Sequence, residues 1–345
     1  MKKIVVMAGA MLPFAALAQS SVTVYGMLDT SIVSYNYSAA GTRPRSQLTV
    51  LASDASRLGF RGTEDLGGGL RAYFRLEHGM QSDTGEQTDP LAFWSREAYV
   101  GLGGNQLGSV QLGRQYTPNL WMSIRTDPFT RFGVGGQPTL TQGVRGYPLQ
   151  YSNAVQYISP TVANTTFRML VSAGEGAPTG KSVSAGIDHA SGPLYLGLVY
   201  DQLKVVAAAV GLSGAPVESS TLAIGASYDF GVFKVQGHLQ SNRTEQLDDV
   251  RVYLLGLVIP VGVGELKASY SYRTGEGETG ARLMAVGYQY FLSKRTSLLA
   301  NIAKLDNQAN ASFRMGPART EQLSQRLPGA GQDTTGIQFG IRHWF

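Results

Sequence analysis

Arginine is the chemically suggestive residue of this 345-residue chain. Arg57 and Arg61 stand four apart, Arg71 and Arg75 repeat the spacing, and Arg96 and Arg114 follow in similar runs. Arg125, Asp127 and Arg131 crowd one irregular segment. A guanidinium stays charged and donates through a planar fork, so converging arginines steer or bind anions. The groupings that carry other chemistry are missing. The chain has no cysteine, which excludes disulfides, thiolate metal sites and a thiol nucleophile. His78, His189, His238 and His343 stand at no metal-ligand spacing from one another, so neither metal nor cofactor is expected. Neither a G-x-S-x-G elbow nor a phosphate-cradling G-x-x-x-x-G-K-[ST] loop occurs. Asp188-His189 fails as a dyad, because neighbours on a strand point to opposite faces. Gly101-Leu102-Gly103-Gly104 lacks the third glycine of a dinucleotide fingerprint and opens a turn. The arginines are spread along the chain rather than gathered with aromatics in one patch, so nucleic acid is not an expected partner. An enzyme is not expected.

The elements that position these arginines begin after a leader. Lys2-Lys3 followed by the apolar stretch Ile4 to Leu17 and the small residues around Ala18 reads as a signal peptide over 1–18, cleaved between Ala18 and Gln19. The stretch is short of the ~20 residues that a spanning helix needs. The mature chain, 19–345, is therefore expected to leave the cytoplasm, and cleavage lowers the net charge of +5 by two. No other apolar run is long enough to span a bilayer as a helix; Val252 to Gly264 is cut by Pro260 and glycines. A mean hydropathy of −0.07 fits a chain with one greasy and one wet face.

Periodicity supplies those faces. Leu222, Ile224, Ala226, Tyr228 and Phe230 alternate with Thr221, Ala223, Gly225, Ser227 and Asp229. Leu266 to Arg273, Phe233 to Gln240 and Gly336 to Phe345 repeat the pattern. A period of two with one apolar face is a strand. Aromatics gather near strand ends, as at Tyr228/Phe230, Tyr270/Tyr272 and Tyr288/Tyr290, where membrane-interface girdles belong. Connections alternate between short and long. Seven short turns fall at Gly67 to Gly69, Gly104 to Gly108, Ser159-Pro160, Ser191 to Pro193, Asp229 to Gly231, Pro260 to Gly264 and Leu292 to Arg295. Eight longer segments lie near 37–47, 81–91, 117–149, 174–182, 203–219, 241–249, 274–280 and 306–333. Fifteen connections make sixteen strands with both termini on the short-turn side. The expected fold is all-β: a transmembrane antiparallel β-barrel with short periplasmic turns and long outer loops.

Several stretches in this order resemble the Gram-negative trimeric general porins, in particular their β-proteobacterial branch. They are Ser21 to Gly26, Ser56 to Gly62, Glu64 to Gly69, Ser95 to Leu102, Gln111 to Gln115, Ser152 to Pro160 and the terminal Phe345. The resemblance covers the whole mature chain. It implies a homotrimer in outer-membrane lipid, passive diffusion of small hydrophilic solutes and inorganic anions, and a third loop folded into the bore. It also implies that the barrel-assembly machinery reads the final strand through Phe345. Two departures bear on the bore. The family's Pro-Glu-Phe-Gly-Gly stretch is replaced by Asp127 to Gly133, which moves the acid and adds Arg131, and the sixth strand starts Gln150-Tyr151. A substrate-specific channel on the same fold, or a surface adhesin or receptor barrel, are the competing readings.

The 117–149 segment holds Trp121, Phe129, Phe132 and four prolines, and loops this long are usually functional. Exposed aromatics there would be a liability, so packing against the inner wall is expected. With Leu58, Phe60, Ala72, Phe74 and Leu76 outward, alternation turns Arg57, Arg61, Arg71 and Arg75 into the bore. A turn centred near residue 66 sets Arg57 opposite Arg75 and Arg61 opposite Arg71 within about one rung. Arg96 and Arg114 are expected to join them, and Arg125, Asp127 and Arg131 to face them from the loop. A bore so lined favours anions. The competing outcome is that Glu64, Glu77 and Glu97 neutralise the arginines. The apolar stretch Val205 to Leu212, in a nominal surface loop, has no account in the sequence.

Overall fold

The computed structural model describes residues 21–142, 145–176, 181–316 and 328–345. The leader and its cleavage site at Ala18–Gln19 lie outside the described residues. The chain forms β1 (Ser21–Tyr37), β2 (Ser46–Ser53), β3 (Arg57–Gly67), β4 (Leu70–Gly79), β5 (Glu97–Gly104) and β6 (Gly108–Tyr116). Two helices, α1 (Pro118–Thr126) and α2 (Pro138–Thr141), interrupt the strands before β7 (Gln150–Ile158), β8 (Thr165–Ser172), β9 (Ser182–Ser191), β10 (Leu194–Val205) and β11 (Val217–Asp229). The series ends with β12 (Lys234–Thr244), β13 (Leu247–Val261), β14 (Gly264–Arg273), β15 (Ala281–Phe291), β16 (Thr296–Asn307) and β17 (Thr334–Trp344).

Apart from β2 and β3, every strand pairs antiparallel with its chain neighbour, and β1 also pairs with β17, so the sheet closes on itself. β2 and β3 are two lengths of one barrel strand. Both pair with β1, the first with its outer half and the second with its inner half, and Ala55 at φ 55 marks the bend between them. The barrel therefore has sixteen strands, as alternation predicts. Closure leaves no open edge, the condition for placing a sheet in hydrocarbon.

Side chains sort by parity. Leu222, Ile224 and Tyr228 point outward and exposed, while Thr221, Ala223 and Ser227 are buried inside. The inner wall is polar, with Gln236, Gln240, Asn242, Ser269 and Gln338 all buried, and the outer wall is apolar: the lipid-facing arrangement. At the short-turn end Phe230 lies tilted against Tyr228 and Phe233, with ring centroids 4.6 and 4.8 Å away, which builds part of an interfacial girdle.

Two loop expectations change. The 241–249 segment is strand on both sides of a two-residue turn, Glu245–Gln246, with Gln246 at φ 66. Its polar residues face both ways above the apolar band: Asn242 and Thr244 go inside, and outside Arg243 pairs with Asp249 at 3.1 Å. Polarity on both faces erases the alternation that marks a strand. The Val205 to Leu212 stretch gains an account. It carries a single 3₁₀ turn that buries Ala207, and Ala209 and Val210 line a cavity with Pro148 and Leu149. Its apolar residues thus cover the limb by which the 117–149 loop leaves the barrel.

Candidate functional site

The site starts from a turn. Gly67, Gly68 and Gly69 all have positive φ (83, 61 and 80), a conformation that side chains avoid, and Asp65 Oδ1 accepts the Gly67 N–H at 2.9 Å. The turn is centred two residues later than the sequence suggested, so each cross-strand partner moves by four. Arg61 faces Arg75 directly, Arg57 faces Gly79, and Arg71 faces Asp65. The expected Arg57–Arg75 and Arg61–Arg71 opposition is therefore incorrect, although all four arginines take the inward parity.

Two guanidiniums opposed on neighbouring strands repel unless something lies between or beside them. Tyr25, inward on β1, supplies part of it: Arg61 and Arg75 sit 5.2 and 5.8 Å from its ring centroid. Cation–π contacts of this kind are worth roughly 0.5–2 kcal/mol. Glu77 and Glu97 supply the rest. Arg75 donates to Glu97 Oε2 at 2.8 Å, Arg96 Nε donates to Glu77 Oε1 at 2.6 Å, and Arg57 Nε lies 3.8 Å from Glu77 Oε2. The Tyr25 hydroxyl donates to Glu77 at 2.9 Å, and Arg96 lies over the Tyr116 ring. Four arginines thus meet two buried carboxylates, leaving a wall with two positive charges in excess. Arg61 has no carboxylate partner among the described residues. Glu64, the third acid considered, has outward parity opposite Ala72 and takes no part.

Arg114 does not join the wall. It shares parity with Val110 and Leu112, opposes outward Ala98, and donates to Ser95 O and Ser152 Oγ, each at 2.7 Å. It belongs to the outside of the barrel near its outer rim, as alternation along β6 already implied.

The opposite side of the bore is the 117–149 loop, laid along the inner wall. Pro118 begins α1, where its missing N–H is no loss. The barrel receives the loop at inward glycines, each of which would clash if it carried a Cβ. That Cβ would stand 2.6 Å from Pro118 at Gly186, 2.8 Å from Met122 at both Gly197 and Gly225, and 3.0 Å from Phe129 at Gly287. Pro128 similarly fills the space above Gly256, and Val134 that above Gly336. Six glycines on alternate and adjoining strands from β9 to β17 form a track for the loop. Arg273 holds its far end by donating to Leu140 O at 2.7 Å and Arg145 O at 3.2 Å.

Asp127, expected to face the bore as the loop's acid, is fully buried. Its carboxylate accepts the N–H groups of Phe129 (3.0 Å), Arg131 (2.9 Å) and Gln137 (2.8 Å), folding the loop about itself. Burial pushes its carboxyl above the usual range, against the pull of those three bonds. Arg131 is a strut as well, donating to Ser123 Oγ at 2.6 Å and to the Tyr147 hydroxyl. Arg125 is exposed at the end of α1, over the Tyr195 ring at 5.1 Å. The described part of the loop therefore shows the bore a guanidinium and no carboxylate.

Sequence reasoning missed four participants. Asp29 and Arg342 pair at 2.6 Å across the closing strands, with Arg342 over the Phe132 ring at 4.4 Å. Arg168 and Asp188 pair below α1. Their inward parity was legible; which heights of the barrel coincide was not. At the carboxyl end, Phe345 exchanges backbone hydrogen bonds with Gly26, and its ring occupies the space that a Gly26 side chain would take.

A family model described as Gram-negative porin matches residues 5–310. Outer membrane porin protein 32 of Delftia acidovorans is 34% identical over 96% of this chain and 96% of that protein. An outer membrane porin protein of Bordetella pertussis is 28% identical, covering 92% of this chain and 99% of its own. Among solved structures, an anion-selective porin from Comamonas acidovorans superposes with a TM-score of 0.79 at 30% identity, covering 95% of this chain and 100% of its own.

Proposed function

We propose, for a chain that belongs to the Gram-negative porin family, a specific selectivity built on the family's general activity. The protein is an outer-membrane porin, a water-filled barrel through which ions and small hydrophilic solutes diffuse. Its preference is for anions. The observation that carries this reading is the imbalance across the bore: Arg57, Arg61, Arg75 and Arg96 against Glu77 and Glu97, facing a loop whose Asp127 is buried. Arg125 adds to the positive lining, Arg71 stands opposite Asp65 in register and adds no net charge, and Arg131 holds the loop. Positive potential in a narrow low-dielectric passage concentrates anions and repels cations. The similar porin from Comamonas acidovorans is anion-selective, which supports the same reading. Tyr25, Tyr116, Tyr147 and Tyr195 each lie beneath a guanidinium, so a solute meets charge rather than a bare aromatic track, which favours a general over a sugar-specific channel. No catalytic role is proposed for any of these groups.

Maturation at Ala18–Gln19 delivers the chain to the outer membrane, where Phe345, seated on Gly26, serves as the signal for the barrel-assembly machinery. The working form is a homotrimer. Its contact face is the early wall, where Val22, Val24, Val100 and Leu102 stand outward and exposed beside small Gly62 and Ala72. Swelling of liposomes carrying the purified protein tests the selectivity. Small organic anions are expected to enter faster than cations of equal size, and equal rates would refute the reading.

A further inference from the structure

A cavity of about 470 Å³ opens below α1 on the inner wall, next to the short turns that join β9 to β10 and β11 to β12. It lies on the far side of α1 from the outer mouth, at the periplasmic end of the barrel. Arg125, Tyr195, Ser227, Asp229, Gly231 and Lys234 line it. Its charges are not balanced alike. Arg168 is taken by Asp188, and Asp188 also accepts the Tyr195 hydroxyl, which fixes the ring on which Arg125 rests. Lys234 stands opposite Asp229 in register, and Asp229 Oδ1 accepts the Gly231 N–H at 2.8 Å. Neither Arg125 nor Lys234 forms an ion pair with a carboxylate among the described residues, and Arg125 is close enough to Arg168 for the two charges to oppose each other. Ser227, almost fully buried, brings a hydroxyl to the same cavity.

The geometry points to a second anion-binding station at the periplasmic mouth, built on Arg125 and Lys234 and selective for small multivalent carboxylates or phosphates. This rests on the anion-selective reading of the bore and adds a stop beyond the arginine wall. An ion leaving that wall exchanges its guanidinium partners for Arg125, held flat on Tyr195, and for Lys234. A monovalent halide gains little from two separated cations, whereas a di- or trianion engages both. The volume admits a six-carbon polycarboxylate with some of its water. Because the station lies to one side of the constriction, its effect is directional: an anion arriving from the periplasm reaches it without first passing the wall.

Planar bilayers test it, with citrate as the probe against a chloride current and with trypsin, which trims the long loops, used to identify the outer side. In the native channel, citrate from the periplasmic side is expected to block at a concentration at least threefold lower than from the outer side. Arg125→Gln is expected to bring the two concentrations together, and Lys234→Gln, which changes the wall rather than the loop, to reduce their ratio at least by half. Arg125→Lys, which keeps the charge, is expected to retain most of the asymmetry. Symmetrical block in the native channel, or asymmetry that survives both neutral variants, would overturn the station. The zero-current potential of the same membranes separates this from the underlying reading. Anion preference with symmetrical block removes only the station, and cation preference removes the selectivity.

Discussion

Adding one methyl group under α1 tests whether the glycine track sets the width of the bore. In Gly186→Ala the new Cβ would stand 2.6 Å from Pro118 Cβ, and in Gly225→Ala 2.8 Å from both Met122 and Thr126. Contact becomes ordinary at 3.4 Å, so the helix must rise by about 0.8 Å at its first residue and about 0.6 Å at its middle and end. The wall cannot yield instead, because β9 and β11 are hydrogen-bonded along both edges to their neighbours. The loop yields, and it moves toward the arginine wall. Overpacking of this kind typically costs about 1–3 kcal/mol, too little to unfold a closed barrel but enough to shift a loop. Single-channel conductance of the double variant is expected to fall. Entry of neutral solutes near the size limit is expected to slow more than entry of small ones. Gly237→Ala is the control: it lies on the outer face, where its Cβ would meet only Leu254 O at 3.7 Å. Native conductance and size dependence in the double variant, or equal narrowing by Gly237→Ala, would refute the argument. A wider channel would show the loop dislodged and refute it as well.

Asp127→Asn exchanges a carboxylate serving three N–H donors for an amide that presents its own N–H₂ to them. Leaving such donors unsatisfied costs about 1–3 kcal/mol, so the loop should loosen and the open current become noisier. The same carboxyl gives a pH signature. Its pKa is raised by burial, so the folded state takes up a proton more readily than the unfolded one, and the penalty for ionised Asp127 appears as pH rises between the ordinary and the raised value. The stability of the folded barrel is therefore expected to fall as pH rises through that window, and thermal unfolding of Asp127→Asn is expected to lack this pH-dependent component. Val100→Arg puts a charge on the proposed subunit contact and should convert unheated detergent extracts from trimer to monomer by sedimentation; an unchanged trimer would place the contact elsewhere. Amino-terminal sequencing of protein purified from outer membranes should begin at Gln19, and Met1 would overturn the proposed leader.

Barrel architecture was legible because its two faces differ in chemistry at every second residue. Leu222 to Tyr228 and Ile337 to Phe345 carry that signal over long runs, and the alternation of short and long connections gave the strand number. Near the outer rim the signal fades. Arg243 and Asp249 face outward where Asn242 faces inward, so polar residues lie on both sides and 241–249 reads as a loop. Direction within the site followed parity for Arg57, Arg61, Arg71 and Arg75, and the parity of Val110 and Leu112 already excluded Arg114. Register did not follow, because the chain reverses at Gly68 rather than near Leu66, and nothing in the local pattern fixes that position. The role of Asp127 was hidden for another reason. A carboxylate that accepts backbone N–H groups ten residues apart depends on how the loop folds over itself, and no local pattern encodes it. The glycine track was visible only as inward glycines on separate strands; their common height is set by strand tilt and closure.

The central claim is that excess arginine on β3, β4 and the approach to β5 makes the bore anion-selective. The zero-current potential across a bilayer under a potassium chloride gradient measures it directly. The native channel is expected to show the sign of chloride preference. Arg61→Ser, which removes the one wall guanidinium without a carboxylate partner among the described residues and leaves Glu77 and Glu97 paired, is expected to move the potential toward zero. Potassium preference in the native channel, or a potential that Arg61→Ser leaves unchanged, would contradict the account.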